Sequence, residues 1–167
     1  MNTLELSLAI EADEHMSKYC LGAMASNQLP RKIRQLPVGM ILNLQPLSQK
    51  GSHWIAVFID AEGFGEYFCS YGSKPAEKFT SFLRNHCYDW THNQKRVQGL
   101  LSSTCGQHCI FYLMLRCRGL TMPEIFARYS SDCDYNDEMV VAIINKKFSL
   151  STSVYDTDFI EKQINKL

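Results

Sequence analysis

With 167 residues, of which 46% are hydrophobic and 20% charged, the chain can bury a substantial core but is too short for two ordinary domains, so one domain over 1–167 is expected. Its 17 Lys and Arg balance 17 Asp and Glu, leaving no net field to draw it to nucleic acid, and no apolar stretch approaches a membrane span. Seven cysteines, an odd number at irregular spacing behind no secretory leader, read as the reduced thiols of an intracellular protein.

In chain order, residues 3–16 are predicted to form one helix with Leu4, Leu8 and Ala12 on a single face, capped by Asn2 or Thr3. Gly22, Pro30 and Pro37 make residues 22–37 a loop. Residues 38–44 are a strand, ended by Pro46 and the polar turn Ser48-Gln49-Lys50-Gly51. Residues 54–59 and 67–71 then form a hairpin around the glycines of Ala61-Glu62-Gly63-Phe64-Gly65. Phe79, Phe82, Leu83 and His86 mark an amphipathic helix, and residues 95–97 a short strand leading to Gln98. After the capping residues Ser102, Ser103 and Thr104, the stripe Cys109, Ile110, Leu113, Met114 and Cys117 places Cys105 in the first turn of a buried helix. Thr121-Met122-Pro123-Glu124 is a capping box opening a short helix, and Asn136 begins another whose buried stripe is Met139, Val140, Ile143 and Ile144. A polar link, 149–157, leads to a terminal helix from Asp158. Few strands grouped between helices give an α+β class, with a small mixed sheet packed against the Cys105 helix.

The chemistry gathers around that helix start. A thiolate is the nucleophilic form of cysteine, and the partial positive charge of a helix N-terminus stabilises it. The base expected for it is His53, which stands at the mouth of a strand buried on both faces and can be held in one direction. Gln98, seven positions before Cys105, adds a side-chain amide donor, completing a set suited to acyl transfer through a thioester. His15, His86, His92 and His108 are rivals to His53; His108, three residues beyond Cys105, is a substitute base or a neighbour tuning the thiolate. Zinc ligation by His86, Cys87, His92, Cys105, His108 and Cys109 is disfavoured, because neither Cys-x-x-Cys nor His-x-x-x-His occurs. The basic clusters Arg31-Lys32 with Arg34, Lys95-Arg96 and Lys146-Lys147 read as solvated faces.

His53-Trp54 at a strand start, Tyr67-Phe68-Cys69-Ser70-Tyr71-Gly72, Gln98-Gly99 and Cys105-Gly106, in that order, resemble the adenovirus protease (adenain) family. In wording they are most similar to the adenain-like proteases of Polinton or Maverick elements and related DNA viruses. Leu21-Gly22 followed by Pro30 resembles that family's opening segment, so the likeness covers residues 1–148 and leaves 149–167 as a C-terminal extension. The resemblance implies a fold related to papain, of the adenain and ubiquitin-like-protease type. It implies a cysteine endopeptidase without cofactor or metal, cutting protein substrates after small residues, typically glycine, in viral or mobile-element capsid precursors. It also implies an activating peptide as partner, and a place in the host nucleus or cytoplasm or in a virion. Carried over residue by residue, His53, Cys105 and Gln98 take catalytic roles and Trp54 walls the substrate cleft.

The family's orienting acid falls on Cys69, where a neutral thiol is a poor acceptor. Strand alternation turns Glu66 and Ser70 to the other face. A Cys105-His53 dyad, a carboxylate such as Asp89 arriving from elsewhere, an engineered replacement at Cys69 and an attenuated enzyme all stay open. Two other functions stand beside capsid processing: a protease for ubiquitin-like modifiers, and an inactive binding protein on a protease fold.

Overall fold

A computed structural model of the chain describes residues 1–148, and the expected hairpin lies at the centre of a five-stranded mixed sheet. The strands β1 (Cys20–Met24), β2 (Val38–Asn43), β3 (Trp54–Ile59), β4 (Phe64–Phe68) and β5 (Asp89–His92) lie side by side in sequence order. The central pairs β2–β3 and β3–β4 are antiparallel, while β1–β2 and β4–β5 are parallel. The 149–157 link and the terminal helix expected from Asp158 lie outside the described residues.

Side-chain alternation along β3 divides the core in two. Trp54, Ala56 and Phe58 join Leu6, Ile110 and Tyr112, whereas Ile55, Val57 and Ile59 join Phe79, Phe82 and Leu83. The first set faces helix α4 (Cys105–Arg116), with α1 (Thr3–Ala12) and α6 (Cys133–Phe148) packed on α4; the second faces α3 (Glu77–His86). A strand covered on both sides reads as a continuous apolar run, which is how Trp54–Ile59 is written.

Several expectations need correction, among them the loop from residue 22, whose first residues belong to β1. The helix over 3–16 is two helices, α1 and α2 (Glu14–Tyr19), broken at Asp13, and the Leu4/Leu8 face is 67% and 54% exposed. The buried stripe is Leu6, Ala9, Ile10, Asp13 and Met16, also at helical spacing, disguised by a buried aspartate. Asp13 caps α2 through the N–H groups of His15 and Met16 and pairs with Arg118 at 2.7 Å and Lys147 at 3.1 Å. Burial acts to raise its pKa, but the bonds from Arg118, the Met16 N–H and Lys147 prevail and bring it down to about 2.

The second hairpin strand runs Phe64–Phe68 and not 67–71, because Asp60 Oδ1 accepts the N–H groups of Glu62 and Phe64 and closes the turn early, with Gly63 at φ +87°. Residues 95–97 are not a strand; Val97 and Gln98 only donate their N–H groups to the Ser70 carbonyl. The fifth strand is the polar edge Asp89–His92. Helix α6 starts at Cys133, ahead of Asn136, because Asp132 Oδ1 accepts the N–H groups of Asp134 and Tyr135. The capping box at Thr121 and Glu124 opens α5 (Met122–Phe126) as expected from its spacing.

One buried ion pair sets α4 against the sheet. Glu66 on β4 accepts from Arg116 Nε at 2.7 Å and from the Tyr112 hydroxyl, and the Arg116 guanidinium lies 4.4 Å from the Phe58 ring centroid. Glu66→Ala would strand that guanidinium, so chemical denaturation should show a loss of about 3 kcal/mol; a loss under about 1 kcal/mol would mean that water replaces the carboxylate. No helix among the described residues is long and apolar enough to cross a membrane.

Candidate active site

Cys105 is the first residue of α4, and Thr104 before it holds the cap position at φ −91° and ψ 12° without a side-chain capping bond. The Thr104 hydroxyl donates to Asp137 Oδ1 at 2.6 Å instead. The first-turn N–H groups of α4 are thereby left to the thiol and to whatever lies over it. Space at 106 is tight, since a Cβ there would stand 3.2 Å from both Leu6 and Met1 and would make one of them shift.

Cys105 opens on a cleft of about 580 Å³ that is also lined by His53, Trp54, Tyr71, Ser102 and Ser103. Trp54, at the start of β3, is 9% exposed, and its indole N–H donates to the Met1 carbonyl at 3.1 Å. Its ring therefore belongs to both core and cleft wall.

His53 immediately precedes β3, and its ring has two contacts that fix its plane and direction. Nε2 lies 3.4 Å from Cys69 Sγ, and the Tyr71 ring stacks on it at 4.8 Å and 26°. Burial, with a smaller contribution from His108 when it too is protonated, brings the His53 pKa down to about 4, so at neutral pH the imidazole is uncharged and able to accept a proton. Cys69 follows the end of β4 and is 2% exposed. Its backbone is clamped by Asn93, whose Oδ1 accepts the Cys69 N–H at 2.8 Å and whose Nδ2 donates to the Cys69 carbonyl at 2.7 Å.

Asp89 is not the missing acid. It pairs with Phe64 at the opposite end of β4, it is exposed, and its carboxylate accepts the Trp90 N–H. His108 is no substitute base either: it is fully buried, Nε2 lies 2.8 Å from Asp137 Oδ1 and Nδ1 3.1 Å from the Tyr129 hydroxyl. Position 108 lies on nearly the same face of α4 as Cys105, and it is the bonds to Asp137 and Tyr129 that hold the imidazole against α6.

Gln98 departs from expectation in its direction. It is 0% exposed and does not line the cleft: the Ser70 hydroxyl donates to Oε1 at 2.6 Å, and Nε2 donates to the Ser102 carbonyl at 2.9 Å. The amide thus stands behind the segment that precedes Cys105. The Tyr71 hydroxyl donates to the same Ser102 carbonyl at 3.3 Å, so two groups draw that carbonyl inward.

Tyr71, Asn93 and Asp137 shape the site without having been singled out from the sequence, and Ser70, set aside there as facing away from His53, does so through Gln98. Alternation from Cys69 could have flagged Tyr71, two residues on, as a neighbour of His53. Asn93 and Asp137 carried no local signal.

No protein-family model matches the chain, and no curated protein matches it. Solved structures do. The ASFV pS273R protease superposes with a TM-score of 0.50 at 21% identity, over 70% of this chain and 44% of that one. ChlaDub1 from Chlamydia trachomatis gives 0.48 at 18% identity, over 70% and 62%. The central domain of the uncharacterized Lpg1148 protein from Legionella pneumophila gives 0.52 at 10% identity, over 89% and 96%. The chain spans less than half the length of the ASFV protease, and at this identity the likeness is one of architecture: a mixed five-stranded sheet between helices, the α+β fold it shares with that protease.

Proposed function

We propose that the chain is a cysteine endopeptidase that cuts after small, glycine-type residues, with viral or mobile-element capsid precursors as its substrates. The observation that carries this is the opening of Cys105, at an uncapped helix start, on the same cleft as a neutral His53 whose ring is fixed by Cys69 and Tyr71. His53 takes the proton from Cys105 Sγ as the sulfur attacks the carbonyl carbon, and returns it to the leaving amine; water then hydrolyses the thioester. The oxyanion falls to the Cys105 N–H, and to Gln98 Nε2 once substrate binding turns the amide from the Ser102 carbonyl, 2.9 Å away, toward the cleft. Catalytic contacts of this kind tighten when substrate is bound. Trp54 closes the cleft beside the cut. The adenain resemblance and the fold shared with the ASFV protease support the substrate class.

A fluorogenic peptide with glycine before the scissile bond tests this against a matched peptide with leucine there. Turnover of the first and little of the second is expected; equal turnover removes the small-residue preference. Absence of turnover from both, with no thiol-probe labelling at Cys105, leaves the second reading, an inactive binding protein, which the neutral thiol at 3.4 Å from His53 favours.

Cys69→Asp separates an under-supported histidine from one that needs no acid. A carboxylate beside Nε2 stabilises imidazolium, so the NMR titration midpoint of His53 should rise from about 4. Turnover should rise about 10-fold or more. In the parent, the unfolded chain takes up a proton near the ordinary 6.5 while the folded His53 waits until about 4, so stability falls as pH drops through that window. The substitution should flatten that fall. An unmoved midpoint or an unchanged rate would mean that Cys69 does not hold the acid's place.

A further inference from the structure

We propose that Asp137, carried on α6 and backed by His108, is a positioning residue of the active site that clamps both ends of the 99–104 loop and thereby sets where the oxyanion donors lie. It touches no reacting atom, and it rests on the peptidase reading above.

The geometry is that of one carboxylate holding three donors. At the start of the loop the Gly99 N–H donates to Oδ2 at 2.9 Å; at its end the Thr104 hydroxyl donates to Oδ1 at 2.6 Å. His108 Nε2–H donates to Oδ1 at 2.8 Å from within α4, and the Tyr129 hydroxyl donates to His108 Nδ1 at 3.1 Å, which fixes the tautomer. Burial acts to raise the Asp137 pKa, but the bonds from His108, Thr104 and Gly99 prevail and hold it below the usual carboxylate range. Burial, outweighing Asp137, keeps His108 below its ordinary value. The pair is a neutral imidazole donating to a carboxylate.

The loop is drawn hard against α6. A Cβ at Gly99 would meet Asp134 Oδ1 at 2.5 Å and Asp137 Oδ2 at 2.8 Å, so any side chain there would push these carboxylates aside. Because Thr104 spends its hydroxyl hydrogen on Asp137, it cannot donate to Ser102 Oγ, 2.6 Å away; the Ser102 hydroxyl donates to it. Ser102 in turn presents its carbonyl to Gln98 Nε2 and to the hydroxyl of Tyr71, the ring stacked on His53. A continuous set of hydrogen bonds therefore runs from α6 through Thr104 and Ser102 to Gln98 and to Tyr71, whose ring stacks on His53.

Asp137→Asn keeps the shape but turns a donor toward the Gly99 N–H or toward Thr104 and His108. Turnover should fall about 10²-fold, as for a reacting group displaced by about 1 Å, with KM unchanged. Alkylation of Cys105 by iodoacetamide should keep its rate, since the helix start and His53 remain. Thr104→Ser should retain turnover and Thr104→Val lose about 10-fold, which decides the matter should Asp137→Asn fail to fold. A lowered melting temperature with unchanged turnover, or equal turnover for the Ser and Val variants, overturns the proposal. Hydrogen exchange at the Gly99 amide tests the clamp independently of activity: faster exchange in Asp137→Asn is expected, and unchanged exchange overturns it. A parent without turnover would then count against the peptidase reading alone.

Discussion

Cys105→Ala is expected to abolish peptide hydrolysis while leaving the fold standing. Alanine is well tolerated at the first helical position, and the half-buried thiol makes no hydrogen bond that the core requires, so the melting temperature should move little. Loss of the nucleophile in comparable acyl-transfer enzymes costs on the order of 10⁶ in turnover. The other thiols are poor replacements. Burial pushes Cys87 up to about 11 and Cys109 well above the ordinary range, while the adjacent Cys117 thiol, with burial, holds Cys20 high. Intact-mass analysis after brief labelling at pH 6 should therefore find the probe on Cys105 first. Turnover within ten-fold of the parent, or equal labelling of half-buried Cys133, would remove Cys105 from its role.

Gln98→Ala is the second large effect, with turnover expected to fall about 10²-fold at nearly constant KM, the cost of one oxyanion donor. The amide is gripped between the Ser70 hydroxyl and the Ser102 carbonyl, so the variant also leaves the buried Ser70 hydroxyl without its acceptor and the Ser102 carbonyl with the Tyr71 hydroxyl alone. Ser70→Ala provides the comparison: it loosens the amide without removing the donor and should cost far less turnover. If the two variants lose stability equally and keep their turnover, Gln98 only braces the loop. A raised KM at constant turnover would make it a substrate-binding residue instead.

Much of the architecture is local and was legible along the chain. The capping box at Thr121, the stripes of α3, α4 and α6 and the apolar run of β3 each follow from the period at which side chains share a face. Cys105 at a helix start and His53 at a strand start belong to the same class of feature, because both positions are set by residues beside them. The face of α1 was not legible: two stripes share the helical period, and the true one contains Asp13, whose partners Arg118 and Lys147 arrive from the far end of the chain. The strand Asp89–His92, four residues long, is too short to show a period, and it is placed by pairing along the edge of β4.

At the site, the sequence by itself determined which chemical groups were present, and the tertiary structure decided where they point. Cys69 and His53 are 16 residues apart, Asn93 reaches Cys69 across 24, and Asp137 reaches Gly99 across 38. None of these separations has a period from which to read it. The turn of Gln98 away from the cleft and of His108 into α6 was likewise decided by partners, since a buried amide or imidazole takes the direction in which its hydrogen bonds are satisfied.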